Sequence, residues 1–346
     1  MNILIVNAGS SSLKVKVIEL PSGKVLYVKH IEHIGEKNSV IQAHSQAFYF
    51  LDLNFNAIDA VGHRVVHGGE KFSEGVLIND EVVQTIKKLI PLAPLHNPAN
   101  LEGIKLMQTI VPHIPQVAIF DTAFHTSLEK KAYLYALPYD LYETHHIRRY
   151  GFHGTSHKYL LNEAAKFLEK NIEDINIITL HLGNGESICA IKNGKSIDIS
   201  MGFTPLEGLI MGSRSGDIDA EIVLYMQKTL GLSIDEVDTI LNKKSGLLGI
   251  CGDNDLRDIL NRDDPRAKLA VDMMVRRIQK YIGSYLVLLE GKVDAIVFSG
   301  GIGEHADIIR KKILDNDLIG RYESFVIHTD EELEIANESW NVLKDI

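Results

Sequence analysis

The chain has 346 residues, 45% hydrophobic and 24% charged, enough for two domains with substantial cores and the usual balance of a globular protein. A formal net charge of -10 argues against general affinity for nucleic acid or an anionic membrane, so any anion site must be a local basic pocket. Two cysteines, Cys189 and Cys251, are too few for a disulfide framework or a zinc site. The N-terminus lacks a basic leader region and no apolar run approaches a membrane span, so a soluble cytoplasmic protein is expected.

In chain order, Ile3, Leu4, Ile5 and Val6 read as a buried strand, and Val15 and Val17 alternating with Lys14 and Lys16 read as its hairpin partner. Residues 7–14, Asn-Ala-Gly-Ser-Ser-Ser-Leu-Lys, join the two. Gly9 frees the backbone, turn N–H groups and serine hydroxyls offer donors, and Lys14 adds a positive charge, a combination suited to phosphate. Standing alone, the run would be a serine-rich turn with a solvated lysine, and it is not a Walker-type loop. Arg64 follows a strand-like run and precedes Gly68 and Gly69, where its fork could hold a carboxylate or phosphate ligand or simply pair with a core acid. Helical spacing marks residues 82–89, 101–109, 157–168 and 270–289.

Asp121 closes the apolar run 117–120, a position where α/β proteins build sites, although a helix N-cap is an equal reading. Residues 151–157 bring His153 and His157 together with two glycines; hydrogen bonding is favoured over metal ligation, because no acidic or thiol ligand accompanies them at a familiar spacing. Arg214 lies between Gly212 and Gly216, and a second arginine in a Gly-rich turn suggests an anion clamp. Residues 298–305 read as a strand entering a Gly-rich turn before a helix, a layout suited to a nucleotide. Residues 178–191 repeat the opening plan of apolar run, Gly-rich turn and second run, and each copy is followed by Gly-Lys, at Gly23-Lys24 and Gly194-Lys195. Residues 59–61 leading to Gly68-Gly69 are echoed by residues 294–297 leading to Gly300-Gly301. A duplicated α/β unit accounts for both echoes.

Residues 7–14, 62–72, 91–100, 120–125, 148–158, 181–185, 200–219, 241–249 and 300–304 together resemble the acetokinase family, the acetate kinases of the actin, sugar-kinase and Hsp70 superfamily. The resemblance implies an α/β fold of two duplicated actin-like ATPase (ribonuclease H-like) domains with an interdomain cleft. The first would comprise residues 1-124 plus 333-346; the second, residues 125-332, would bind nucleotide and form a homodimer. It implies Mg²⁺-dependent phosphoryl transfer between ATP and acetate, giving ADP and acetyl phosphate, with Mn²⁺ as an alternative metal and neither nucleic acid nor membrane as partner.

By the same resemblance, Asp121, His153 and Arg214 are catalytic, and Arg64, Val66, Leu95, Phe152 and Pro205 hold acetate. Nucleotide contacts fall to Lys14, His181, Leu182, Gly183, Asn184, Gly185, Asp255, Leu256, Arg257, Gly301, Ile302, Gly303, Glu304 and His305, and metal contacts to Asn7 and Glu331. Acetate is already ionised near pH 7, so Asp121 is expected to orient an arginine, a water or the metal rather than remove a proton. A propionate or butyrate kinase, an actin-like ATPase and a non-catalytic nucleotide-binding protein are the rivals. The sequence departs from the family pattern at His305, where asparagine is usual, in a compressed segment at 249–255, and in shortening after Val28 and between Ile319 and Glu331.

Overall fold

A computed structural model describes residues 1–9, 11–35, 39–94 and 96–344. Two compact units emerge, one of Met1–Thr126, Gly154–Tyr159 and Asp330–Ile346, the other of Ser127–His153 and Leu160–Thr329.

In the first unit, β1 (Asn2–Ala8), β2 (Leu13–Glu19), β3 (Lys24–Ile31), β4 (Ala60–Val65), β5 (Val76–Leu77) and β6 (Gln116–Phe120) form a sheet in the order β3-β2-β1-β4-β6-β5. The opening apolar run does not alternate because β1 is covered on both faces. Leu4 and Val6 pack with Val15, Val17 and Met107, whereas Ile3 and Ile5 pack with Ile335 and Ala336 of the C-terminal helix Glu331–Leu343.

The second unit contains β7 (Asn176–Leu182), β8 (Glu186–Lys192), β9 (Lys195–Ile199), β10 (Ala295–Ser299) and β11 (Ser324–Val326), in the order β11-β10-β7-β8-β9. This is the order of β3-β2-β1-β4-β6 run from the other edge. The pairing directions agree throughout: β1 with β2 and β7 with β8 are antiparallel, β1 with β4 and β7 with β10 parallel. Each second strand also shifts register at the same offset, between Val17 and Ile18 and between Ala190 and Ile191. The sequence echo is therefore a structural duplication, down to the bulge.

Helices begin earlier than apolar periodicity alone places them. Asp80–Lys88 starts two residues before 82, capped by Asn79, whose side chain accepts from the Val82 N–H. Asn97–Ile110 starts four residues before 101 with Pro98 in its first turn, and Pro265–Leu288 starts behind Asp264, which accepts from the Arg266 and Ala267 N–H groups. Gly154–Phe167 starts behind His153, whose left-handed φ of 57° turns the chain into the helix. Such first turns extend beyond the apolar stripe, so a cap, an early proline or a left-handed residue marks them instead. No helix among the described residues is long and apolar enough to cross a membrane.

One buried acid in the second unit is uncompensated. Glu186, opposite Leu182 at the start of β8, is fully buried, and neither carboxyl oxygen has a hydrogen-bond partner. Burial pushes its carboxyl well above the usual range, so the folded protein keeps a proton that the unfolded chain releases above about pH 4.3. Stability from this group is therefore present at low pH and falls as pH rises towards the elevated folded value. Replacement by an apolar side chain of similar length, Glu186→Met, is expected to stabilise the fold by about 1–3 kcal/mol. Thermal unfolding should show a larger gain at pH 8 than at pH 5; a variant less stable than the parent at pH 8 would refute the assignment.

Candidate active site

In the first unit, the ends of three parallel-paired strands converge, the position at which open α/β sheets present their ligands. Asn7 comes from β1, Arg64 from β4, and Asp121 immediately follows β6. The Arg64 guanidinium grips Asp121 as a fork: Nε donates to Oδ1 and Oδ2, each at 3.1 Å, and Nη2 donates to Oδ2 at 2.5 Å. Arg64 Nη1 also reaches Asn7 Oδ1 at 3.4 Å, and Thr155 Oγ1 donates to Asp121 Oδ1 at 3.1 Å. Asp121 is 1% exposed, and its carboxylate is engaged by Arg64 and Thr155 rather than capping a helix.

Its backbone takes part as well. The Gly154 N–H donates to the Asp121 carbonyl at 2.8 Å, and a Cβ at 154 would lie 2.2 Å from that oxygen, so only glycine permits this approach.

Glu331, the first residue of the C-terminal helix, adds its charge to the same cluster. Burial pulls the Arg64 pKa down, but Asp121 and Glu331 more than offset it and leave the guanidinium firmly charged. Glu331 is pushed up to about 7, by burial first and then by the neighbouring charges of Asp121 and Glu332, against the opposing pull of Arg64 and Lys14. The helix is held by ion pairs to β2: Lys14 Nζ lies 2.7 Å from Glu332 and Lys16 Nζ 2.8 Å from Asp330. Lys14, expected at the nucleotide, thus has an acidic partner in its own unit. The Val66 N–H donates to Asn100 Oδ1 at 3.0 Å, and Asn100 Nδ2 donates to the Ala8 carbonyl at 2.8 Å. Leu95 lies outside the described residues.

The second unit gathers His153, His181, Gly185 and Arg214. His153 Nδ1 is 2.8 Å from Ser187 Oγ, and its ring lies 4.4 Å from that of His181. A Cβ at Gly185 would stand 3.7 Å from both Arg214 Nη1 and His153 Cε1, which places the cation and the imidazole around one small gap. Arg214 Nη1 donates to the Pro205 carbonyl at 3.3 Å, and among the described residues Arg214 forms no ion pair with a carboxylate. Burial alone draws its pKa down. Phe152 is buried beside this group in sequence, and Pro205 is half-buried.

A pocket of about 780 Å³ in the same unit is lined by Gly183, Asn184, Asp255, Leu256, Arg257, Gly301, Ile302 and His305 from the expected set. Asn254, Leu260, Ala306, Asp307 and Ile308 complete it. Sequence reading missed these five, although each adjoins or closely follows an expected residue. Leu182, Gly303 and Glu304 do not line it, and His181 and Gly185 belong to the His153 and Arg214 group instead. Arg257 holds Asp255 at about 2 by a side-chain fork, while Asp255 also caps Leu256–Leu260. The expected Gly-rich turn after β10 is already helical, since Gly300–His305 follows Ser299 directly.

Residues 2–341 match the model of the acetokinase family. The chain belongs to the acetokinase family. The acetate kinase of Sulfurimonas denitrificans is 50% identical over 389 residues, covering 99% of this chain and 100% of the relative. That of Helicobacter pylori is 46% identical over 401 residues with full coverage of both. Both alignments are longer than the chain itself, so these relatives carry insertions against it. A crystal structure of Porphyromonas gingivalis acetate kinase superposes with a TM-score of 0.93 at 40% identity, covering 99% of each chain. A Francisella tularensis propionate kinase superposes at 0.90 with 41% identity, covering 99% of this chain and all of that one. The duplicated α/β fold is thus the acetokinase fold, and its C-terminal shortening still leaves Glu331 beside Arg64 and Asp121.

Proposed function

We propose that this acetokinase-family protein is an acetate kinase, transferring the γ-phosphoryl group of ATP reversibly to acetate. The observation that carries the reading is the contrast between its two arginines: Arg64 is fixed by Asp121, whereas Arg214, among the described residues, pairs with no carboxylate and stands beside His153. Arg64 orients the acetate carboxylate, and Val66, two residues further on, flanks its methyl group. An acetate oxygen then bonds to the γ-phosphorus as the bond from that phosphorus to the bridging oxygen breaks and ADP departs. Negative charge spreads over three phosphoryl oxygens in such a transfer, and Arg214 and His153 supply fixed positive charge and a donor to meet it. Because acetate arrives ionised, no general base is needed, and Asp121, already engaged by Arg64 and Thr155, acts by aiming Arg64.

Nucleotide occupies the 780 Å³ pocket, with Gly183, Asn184, Gly301 and Ile302 leaving room for it. Asn7 and Glu331 fit Mg²⁺, or Mn²⁺ in its place. They offer hard oxygen donors, and a dication would offset the burial and the neighbouring acids that raise Glu331; Mg²⁺ at phosphates takes only one or two protein carboxylates. When bound, the metal would neutralise phosphate charge. Among the described residues no three His, Cys, Asp or Glu side chains form a cage of their own.

A homodimer is the proposed assembly. Helix Ala220–Lys228 has no buried residue, and around it Ile222, Leu224, Tyr225, Leu230 and Ile234 are exposed, apolar surface that a second copy would cover. Cytoplasmic residence fits the two free, buried cysteines.

Coupled assays of ADP formation with acetate, propionate or butyrate, with and without Mg²⁺, test the reading. Acetate should give the highest kcat/KM, with little ADP formed when no carboxylate is present. Carboxylate-independent ADP formation would identify an ATPase instead, and higher kcat/KM for propionate would move the chain to the propionate kinases.

A further inference from the structure

Glu304 stands in the helix Gly300–His305 between pocket residues Ile302 and His305, yet its carboxylate turns away from the pocket and is only 7% exposed. Oε1 accepts from the Gly300 N–H at 3.0 Å and the Thr329 N–H at 3.2 Å, while Oε2 pairs with His328 Nδ1. Ser299 Oγ donates in turn to the Ile327 carbonyl at 2.6 Å, and the Ile327 N–H donates to the Phe298 carbonyl at 3.0 Å. Ile327 is therefore held to the end of β10 by its backbone and by Ser299, and the Glu304 carboxylate ties the next two residues, His328 and Thr329, to the Gly300 N–H.

Both ends of this stitch matter. On one side is Gly300, with φ of 76° and so little clearance that a Cβ would lie 2.6 Å from the Leu182 carbonyl. The turn that opens the pocket is thus wedged against the end of β7, next to Gly183. On the other side, the chain leaves the second unit after Thr329, enters the first at Asp330, and reaches Glu331 one residue later. Burial alone would favour the neutral acid, but His328 and the Thr329 N–H more than offset it, so Glu304 stays ionised and its bonds are charge-assisted.

We propose that Glu304 is a positioning residue that clamps His328 and Thr329 to the pocket-opening turn, coupling nucleotide occupancy of the pocket to the placement of Glu331. The proposal rests on the pocket's being the nucleotide site. Glu304 does not itself touch nucleotide; Gly301, Ile302 and His305 do, and Glu304 conveys their position to the connecting segment. Ligand groups braced by such outer partners commonly lose about 10–100-fold in activity when the brace is removed.

The test compares the full-length protein with Glu304→Ala and Glu304→Gln by hydrogen exchange, ADP titration calorimetry and steady-state kinetics. In the parent, ADP without metal should slow exchange in peptides spanning 324–333. In Glu304→Ala that slowing should vanish, kcat should fall about 10–100-fold, and the ADP dissociation constant should stay within about threefold of the parent. Glu304→Gln, whose amide oxygen can still accept from Gly300 and Thr329, should recover most of the protection and of kcat. If Glu304→Ala weakens ADP binding about tenfold or more with ADP-dependent protection retained, Glu304 is a direct nucleotide ligand and the clamp is refuted. A parallel fall in ADP affinity, kcat and protection across all peptides would mean a merely structural role and would equally refute it. Failure of the parent to bind ADP would instead overturn the nucleotide pocket itself.

Discussion

Arg214→Ala is expected to lower kcat by roughly 10²–10³-fold while changing the KM for acetate by much less. Arg214 stands in the second unit and, among the described residues, pairs with no carboxylate; Nη1 donates only to neutral acceptors such as the Pro205 carbonyl. Such a cation gains most when negative charge gathers on a phosphoryl group, and that gain belongs to the transition state more than to bound acetate. Removing it also deletes a half-buried charge whose pKa burial already depresses, so the fold should not suffer. Steady-state kinetics over acetate and ATP, with thermal unfolding as a control, would check this. A KM effect equal to or larger than the kcat effect would place Arg214 on the ground-state carboxylate instead. Arg214→Lys should recover only part of the loss, because a point charge cannot reproduce the planar fork.

The fork between Arg64 and Asp121 gives the second large effect. Asp121→Asn is expected to cut kcat/KM for acetate by roughly 10²-fold, since an amide accepts through one oxygen and directs its own N–H groups at the guanidinium. The pH-rate profile should keep its shape. Loss of a titrating limb in Asp121→Asn, with Arg64 still in place, would show that Asp121 removes a proton after all. Arg64→Ala should both raise the KM for acetate and lower kcat, and it should destabilise the fold by about 3–5 kcal/mol, because Asp121 is left 1% exposed without its cation. The double variant Arg64→Ala with Asp121→Ala should be more stable than Arg64→Ala alone. Additive losses in the double variant would argue against the pair acting as a unit.

Much of the fold was legible from pattern. Apolar runs at 3–6 and 178–182 became the central strands, and the two Gly-Lys turns became the starts of β3 and β9. The repeat predicted a duplicated α/β unit, and five strands of the first sheet share the order of the second. Helix starts were misplaced by two to five residues, because a cap, a first-turn proline or a left-handed histidine, rather than the apolar stripe, marks where the first turn begins. Long-range partners were less legible. Lys14 and Glu332 are separated by most of the chain, as are Lys16 and Asp330, and neither spacing nor composition joins them. Thr155 and Ser187 were not singled out, since a lone hydroxyl in a Gly-rich segment is indistinguishable from a turn residue until its acceptor is known.

The sequence by itself determined the family, the duplicated strand plan and the residue types available to the chemistry, because those follow from local periodicity and from motifs that survive without coordinates. Only the tertiary structure decided which charges are compensated. Arg64 and Arg214 look alike as arginines near glycines, yet among the described residues one is bound by a buried carboxylate and the other is not. Glu304 reads as one more residue of a nucleotide motif, yet its carboxylate faces the departing chain. Charge compensation depends on distance and burial between residues far apart in sequence, and a linear pattern contains neither quantity.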